Sequence, residues 1–469
     1  MSKFNDIKIP ENIDDLTKTA ISRGKRYKKN RKYKNIMTAS AVITVLGTSM
    51  VGIGILNPSL ADSIPILKNI VEYFDNNNES IYKGDEKDLE KTSADVNLTV
   101  KHKGIELTID SVSIDDNYIT ILHTVKSEKN IKEYNEAYEK AYFANPVEDA
   151  YIDGKHIIQT SGLIEHEATY ISDKELKGLR KIDVSNVEIN NGDEIEFRVD
   201  KIFGVEGNWS ISTVVDKSKS ISETSSYEID KDFTINQEYD YHDEKVEVKH
   251  DINIEKVTIS PLASKIIINE KPTKGYDDWH PRIGNNFALF DKKGNSLDVI
   301  DKGGTTSTTG ITTNSEEFIK ANKDISSLTL VPISYDESIR NSMFKPQSID
   351  NLPITFEMSE YGNLIIEDIS ITDNQIKYTY YKDGVVPHYP TLWFYDEKGN
   401  EIEFDYSVKE SLDRHTGRYT TILTFEDVTN DSENIKNIKK VSTFNKSNMK
   451  LLYDEQIKID LAKKIRNNS

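Results

Sequence analysis

The feature that most constrains the fold of this chain is a sequence pattern that occurs three times. An alternating apolar and polar strand is followed by a polar turn and a second alternating strand, as expected for half-buried β-hairpins. The three copies are GIELTIDSVSIDDNYITI from Gly104, HDINIEKVTISPLASKIII from His250 and GNLIIEDISITDNQIKYTY from Gly362, which align on Val112, Val257 and Ile369. Three copies of one design predict a mainly β protein with three modules.

Further matching signals follow each copy. Gly supplies the positive backbone angle of a tight hairpin turn in YIDGKHI, LFDKKGNSL and FYDEKGNEI. A strand rich in Leu and Ile is predicted next in LRKIDVSNVEI, SSLTLVPISY and IKNIKKVSTF, and a closing strand in DEIEFRV, LPITFEM and EQIKIDL. The aligned positions lie 145 and 112 residues apart, which fits immunoglobulin-like β-sandwich modules of about 100 residues in series, with insertions. One insertion, SEKNIKEYNEAYEKAYFANP from Ser127, is predicted to be helical.

Positive charge is concentrated ahead of the long apolar run of the chain. The segment RGKRYKKNRKYK, residues 23–34, holds eight Lys or Arg, whereas the whole chain has a net charge of −19. The 21 residues from Ile36 to Leu56 carry no charge, and as a helix they would span about 31 Å, the thickness of a bilayer core. Basic flanks stay on the cytoplasmic side. We therefore predict a single-pass protein of the cell membrane with a cytoplasmic amino terminus and an extracellular carboxyl-terminal region.

A cleaved signal peptide is the alternative interpretation of the apolar run. Ser59, Leu60 and Ala61 have the small-x-small pattern that a signal peptidase accepts before Asp62. The run is longer than the usual signal-peptide core of about 7 to 15 residues. The anchored interpretation is therefore favoured, and cleavage after Ala61 stays open.

Composition limits the remaining classes. The chain has 469 residues, no Cys, 36% hydrophobic and 30% charged residues, which excludes disulfides and cysteine zinc sites. Its acidity argues against nucleic-acid binding. The predicted boundaries are 1–35 for a cytoplasmic helix and basic cluster, 36–56 for the span, 57–94 for a linker, and 95–221, 222–360 and 361–469 for the three modules.

A short amphipathic helix is predicted before the basic cluster. Its apolar residues recur at helical spacing, and acidic residues near its start suit the helix dipole. A helix of this length must lie on the membrane, fold onto a partner or fray. The candidate partner-binding residues are Ile9, Ile13, Leu16, Ala20 and Ile21.

This arrangement of an Ile-Pro-Glu helix, a basic cluster, one span and an external region resembles single-pass bacterial anti-sigma factors of the zinc-free type. The resemblance implies that residues 9–21 restrain an extracytoplasmic-function sigma factor until cleavage or rearrangement releases it. The first module, with KGIELTI at Lys103 and GNWSISTVVDKS at Gly207, resembles the DUF4179-type ectodomains of Gram-positive bacteria. The expected partners are a sigma factor, the lipid bilayer and an unknown envelope ligand. The alternative is an adhesin-like or cell-wall-binding stalk without a cytoplasmic role.

Motifs of catalysis are not found in the sequence. GxSxG, HExxH, P-loop and EF-hand patterns do not occur, so we expect no enzyme activity, cofactor or metal. His166 is interpreted as a lone surface residue, and the turns at 115–117 and 372–374 as ordinary Asp- and Asn-rich turns. One loop, KGYDDWHPRIGNNF, mixes residue types common in binding loops. Its candidate residues are Tyr276, Asp278, Trp279, His280 and Arg282, with a tryptophan that only caps the module edge as the alternative.

Overall fold

Alternating strand segments dominate the folded chain, as the sequence pattern predicts. The computed structural model describes residues 65–147, 149–157, 164–241, 244–271, 286–319, 325–335, 342–386, 390–425 and 435–461. Their strands form three five-stranded antiparallel sheets, which we call the large sheets, a partner sheet of four, five or three strands that completes a sheet pair with each, and one two-stranded hairpin. The mainly β prediction is therefore confirmed.

The first sheet pair and a separate two-stranded hairpin together contain eleven strands. They are β1 (Ser93–His102), β2 (Ile105–Ile114), β3 (Tyr118–Ser127), β4 (Asp149–Ile152), β5 (Lys155–His156), β6 (Ile164–Ser172), β7 (Glu175–Asp183), β8 (Glu194–Arg198), β9 (Lys201–Ile202), β10 (Val205–Glu206) and β11 (Ile211–Val214). The large sheet has the order β1-β2-β3-β7-β6 and the small sheet β11-β8-β4-β5, while β9 and β10 form a separate hairpin. Their buried apolar side chains, among them Ile121, Phe197 and Trp209, form one core.

The second and third sheet pairs repeat this plan. The second contains β12 (Ser225–Tyr241), β13 (Glu244–Ile259), β14 (Ser264–Glu270), β15 (Phe287–Asp291), β16 (Ser296–Leu297), β17 (Val299–Thr306), β18 (Thr312–Phe318) and β19 (Ser327–Tyr335). The third contains β20 (Gln347–Ser348), β21 (Ile354–Ser359), β22 (Gly362–Ile371), β23 (Gln375–Gly384), β24 (Trp393–Tyr395), β25 (Tyr406–Asp413), β26 (Arg418–Phe425) and β27 (Lys440–Ser442). Two more strands, β28 (Met449–Leu451) and β29 (Ile457–Asp460), follow.

The three large sheets have the same strand order and the same irregularity. The second large sheet runs β12-β13-β14-β18-β17 and the third β21-β22-β23-β26-β25, which matches the order in the first. In each, the hairpin register skips one acidic residue, Asp110, Glu255 or Glu367. A β-bulge at the same place in all three hairpins confirms the repeat that the sequence alignment predicts.

The closing strands differ from the prediction. EQIKIDL was expected to end the third module, but its strand β29 pairs with β19 of the second sheet pair, in register from Leu328↔Ile459 to Leu330↔Ile457. LPITFEM was expected to close the second module, but its strand β21 lies at the edge of the third large sheet. Both expectations are wrong, and the predicted boundary at residue 360 separates β21 from its own sheet. The third sheet pair is inserted into the second, so these two are not in simple series.

Residues 65–92 of the predicted linker, which are described by the structure, are folded and bury their main apolar side chains. They contain helix α1 (Pro65–Asn76), a 3₁₀ turn (Lys83–Asp85) and helix α2 (Glu86–Thr92). We call residues 65–92 the strap. Its apolar side chains pack on the outer face of the first large sheet and on the turn between β13 and β14 of the second. The buried residues of this contact are Ile70, Tyr73, Phe74, Tyr82 and Leu89 on the strap, with Tyr118, Leu122, Leu179, Leu262 and Ala263 beneath it.

The predicted helical insertion after β3 forms separate 3₁₀ turns. These turns are Ile131–Glu133, Glu136–Glu139 and Ala141–Ala144. Asn130 and Asn135 start the first two turns because their side chains accept hydrogen bonds from Lys132 N and Ala137 N, as N-cap residues do. Repeated capping divides the segment into short pieces. The remaining helical elements are α3 (Ser218–Ile221) and the 3₁₀ turns Ile349–Asn351 and Tyr453–Glu455.

The predicted cytoplasmic helix, basic cluster and span lie outside the described residues. Within the ranges given above, none of the helices combines the length and the apolar character needed to cross a bilayer.

Candidate functional site

The strap and all three sheet pairs meet around Arg414, in the turn between β25 and β26. The Arg414 side chain is only 15% exposed, and its guanidinium group donates to Glu317 of β18, with Nη2 2.7 Å and Nε 3.2 Å from Oε1. Its Nη1 donates to Asp85 of the strap. Burial alone would lower the pKa of Arg414, but Asp85 and Glu317 raise it well above its usual value. One side chain of the third sheet pair thus holds both the strap and the second sheet pair.

The same carboxylate also contacts the first sheet pair. Tyr118 of β3 donates its hydroxyl hydrogen to Glu317. Lys181 of β7 and Lys265 of β14 each place Nζ 4.1 Å from the centroid of the Tyr118 ring. Burial would raise the pKa of Glu317, but these two ammonium groups and Arg414 lower it to about 2. Glu317 is therefore ionised at neutral pH among these positively charged groups.

Cations and carboxylates balance within this buried cluster. Lys265 lies 2.5 Å from Asp183, and Lys181 lies 3.7 Å from Asp85. With the Arg414 and Glu317 pair, three cations face three carboxylates. Breaking a buried pair is costly because the remaining charge has lost its solvation, about 3–5 kcal/mol. We call this cluster of Asp85, Lys181, Asp183, Lys265, Glu317 and Arg414 the junction. It fixes the relative positions of the strap and the three sheet pairs.

Two further contacts hold the strap and the sheet pairs together. Asp115 of the first sheet pair accepts hydrogen bonds from Asn117 N and Leu262 N, and burial raises its pKa. Glu167 of β6 accepts hydrogen bonds from strap residues Tyr73, at 3.1 Å, and Ser80, at 2.6 Å. The turn at residues 115–117, interpreted from the sequence as an ordinary Asp- and Asn-rich turn, therefore docks one sheet pair onto the next.

A cleft opens beside the charge cluster. It has a cavity volume of about 160 Å³, which is room for a small ligand only, and it lies between domains, where ligand sites occur preferentially. The strap and all three sheet pairs contribute to its walls. The lining residues are Ile81, Tyr82, Asp85, Lys181, Ile300, Glu317, Glu410, Ser411, Leu412, Arg414 and Tyr419.

The binding residues predicted from the sequence fall in parts of the chain that the structure does not describe. The cytoplasmic set Ile9, Ile13, Leu16, Ala20 and Ile21, and the loop set Tyr276, Asp278, Trp279, His280 and Arg282, lie outside the described residues. His166 is half-buried and stacks on Tyr142 with ring centroids 4.2 Å apart. Burial and the positive charge of Arg180 lower its pKa.

Sequence reasoning missed the junction because its members are far apart in the chain. Asp85 and Arg414 are separated by 329 positions, and neither lies in a recognisable motif. The sequence of β18 gives one weak indication of the junction. Glu316 and Glu317 are adjacent there, so their side chains point to opposite faces of the sheet. Both are buried, at 0% and 2% exposure, which requires that both faces of this strand be covered. Among the described residues, no group of three or more His, Asp or Glu could hold a metal ion.

The fold and the junction define a mainly β protein of repeated sheet pairs held together by a helical strap. Residues 28–127 match the model of DUF4179, a domain of unknown function, and residues 230–357 match DUF5643, a family of unknown function. The first match supports the DUF4179 part of the resemblance predicted from the sequence. That match extends from the basic cluster through the apolar run and the strap to β3.

Comparisons with whole proteins give weaker similarities. No curated protein matches the chain. A conserved domain protein from Bacillus anthracis, known from a crystal structure, has 16% identity and a TM-score of 0.34, covering 55% of this chain and 82% of its own. A marsupial T cell receptor has 9% identity and a TM-score of 0.11, covering 72% of this chain and 94% of its own. Neither similarity is close enough to support a functional argument.

Proposed function

We propose that the chain is a single-pass membrane regulator whose external region senses a signal and whose cytoplasmic segment restrains a sigma factor. The observation that carries this proposal is the docking of the strap. The strap begins nine residues after the predicted span ends at Leu56, and it contacts all three sheet pairs. A conformational change at the junction would therefore move the strap, which is close in sequence to the predicted span.

The proposed mechanism is non-catalytic. In the resting state the helix at residues 9–21 holds the sigma factor inactive, as the resemblance to anti-sigma factors implies. Rearrangement of the junction frees the strap, which exposes the segment next to the span to movement or to a protease. The sheet pairs are proposed to be immunoglobulin-like modules that position the strap.

Transcription provides the first test. Deleting Met1–Ser22 while keeping the basic cluster and the apolar run should raise sigma-dependent transcription, because the restraining helix is lost while the anchor is retained. A control strain expresses the full-length chain at the same membrane level. Unchanged transcription in the deletion strain would count against the proposal.

A pull-down from native cells provides the second test. Residues Met1–Lys34 serve as bait, and the matched control carries Ile13→Asp and Leu16→Asp, which remove the apolar stripe but keep the length and basic cluster. Recovery of a sigma factor by the native bait alone supports the proposal. Recovery of nothing specific would favour the surface-binding stalk, for which the described residues give no specific support.

A further inference from the structure

Glu410 lines the cleft beside the junction but is not one of the paired charges of the junction. It lies in the middle of β25, half-buried in the wall of the cleft. Its Oε2 accepts hydrogen bonds from Tyr380 Oη and Thr421 Oγ1, both at 2.8 Å. Both bonds use the same oxygen, so among the described residues Oε1 has no hydrogen-bond donor. The side chain is held firmly while one carboxylate oxygen stays available.

The charge of Glu410 has no partner within the described part of the chain. The cations that line the cleft, Lys181 and Arg414, are paired with Asp85 and Glu317. The nearby Lys382 is paired with Asp298, 2.9 Å away. No described Lys, Arg or His nitrogen lies within 4.0 Å of the Glu410 carboxylate. A half-buried carboxylate without a counterion is unfavourable, and a bound cation relieves this cost.

The remaining walls of the cleft suit an alkyl chain. Ile81 and Tyr82 of the strap, Ile300 of β17 and Leu412 of β25 all line the cleft. Tyr419 completes the wall beside Glu410 and stacks on Tyr380 with ring planes 4° apart. Burial and the negative charges of Asp298 and Glu410 raise the pKa of Tyr419, so its ring stays neutral. Such a pocket places apolar surface beside one carboxylate, Glu410, that has no paired cation among the described residues.

We propose that the cleft binds a primary ammonium group on a short alkyl chain, with Glu410 as its counterion. The ammonium group donates to Oε1 of Glu410, and the alkyl chain packs against the apolar wall. An anionic ligand is disfavoured because the lining cations are already paired. The site deepens the proposed sensor role, on which its physiological meaning rests, because a ligand here would contact the strap and all three sheet pairs at once.

The test uses the full-length chain and n-butylammonium chloride as the probe. Binding is measured by isothermal titration calorimetry at fixed ionic strength, and n-butanol is the uncharged counterpart of the probe. Glu410→Gln keeps an oxygen that can accept from Tyr380 and Thr421 but removes the charge. Glu403→Gln is the matched control, because Glu403 is exposed in the same sheet pair and reports the general attraction of a cation to a chain of net charge −19.

The proposal expects saturable binding of n-butylammonium, little binding of n-butanol, and an affinity loss of roughly tenfold or more in Glu410→Gln. Glu403→Gln should bind as the wild type does. Equal binding by Glu410→Gln and the wild type, equal binding of butanol and butylammonium, or no saturable binding would each overturn it. The sigma-factor pull-down uses only residues 1–34, so its failure is distinguishable from a failure of this site.

Discussion

At the scale of single residues, Gly84 sets how closely the strap can approach the third sheet pair. A Cβ at this position would overlap the backbone carbonyl of Leu412 in β25, and backbone cannot move aside as a flexible side chain can. Gly84→Ala should therefore lift the strap and lower the free energy of unfolding by about 1–3 kcal/mol. Chemical denaturation measures the loss, and hydrogen exchange should show faster exchange in residues 65–92. Lys83→Ala is the neighbouring control. Equal stability of both variants would contradict the close approach.

His123 makes a second prediction at the residue scale, on the pH dependence of stability. It is fully buried in β3, and burial lowers its pKa to about 3, although Asn145 partly opposes the shift. Between pH 6.5 and 3 the unfolded chain binds a proton that the folded chain does not. Stability should therefore fall as the pH drops through this window, by up to about 1.4 kcal/mol per pH unit from this residue.

The test of His123 compares slopes and not absolute stabilities. His123→Gln and His123→Asn cannot bind that proton, so their free energies of unfolding should decrease less steeply than that of the wild type between pH 6.5 and 5. Denaturant titrations at several pH values measure the slopes. Parallel slopes in the wild type and both variants would contradict the buried neutral imidazole.

At the scale of elements, the sequence predicts strands better than it predicts their partners. Alternation correctly located the three hairpins, because their apolar residues face a core. The same pattern in β29 correctly indicated a strand but placed it in the wrong sheet. Alternation specifies which side chains of a strand are buried, but it does not specify the neighbouring strand. In the sequence, β29 is separated from its partner β19 by the whole third sheet pair.

The misplaced strand gives a prediction for this element. Ile459 is 2% exposed and belongs to the core of the second sheet pair, whereas its neighbour Lys458 is exposed. Ile459→Asp should lower stability by about 3 kcal/mol or more, because a charge would enter an apolar core. Lys458→Asp should have little effect.

Hydrogen exchange separates this outcome from the arrangement predicted from sequence. Ile459→Asp should accelerate exchange in β15 and β19 of the second sheet pair, while β22 and β23 of the third stay protected. Loss of protection confined to β22 and β23 would instead mean that the carboxyl-terminal strand supports the third sheet pair.

At the scale of the whole molecule, the junction could not be predicted from sequence. The sequence of residues 57–94 predicts a linker, with a short amphipathic stretch through Ile66, Ile70 and Phe74 followed by a polar segment. The apolar side chains are nevertheless enough to cover the outer face of the first large sheet. Lys177 and Lys181 of β7 point to that outer face, where solvent exposure is expected, yet they are 3% and 4% exposed beneath the strap. Burial of these charges depends on pairing between distant segments, which local patterns do not encode.

Arg414 and Arg418 allow the strap junction to be tested by two matched substitutions. Both arginines pair with carboxylates, but Arg414 is 15% exposed and joins the strap to two sheet pairs, whereas Arg418 is 46% exposed and pairs with Glu367 within one sheet. Arg414→Met should lower the free energy of unfolding by about 3–5 kcal/mol, because Asp85 and Glu317 lose their shared counterion. Arg418→Met should stay near wild-type stability, since its charge is solvated.

The elements in which hydrogen exchange increases test the role of Arg414 as directly as the loss of stability does. In Arg414→Met, hydrogen exchange should increase first in the strap and in β18. In cells, sigma-dependent transcription should rise, because releasing the strap requires less free energy. Arg418→Met, expressed at the same level, should change neither. If Arg414→Met freed the strap in the purified protein while transcription stayed at the resting level, the junction would be a structural clamp and would not transmit a signal. If the strap stayed protected, Arg414 would not be the residue that holds it.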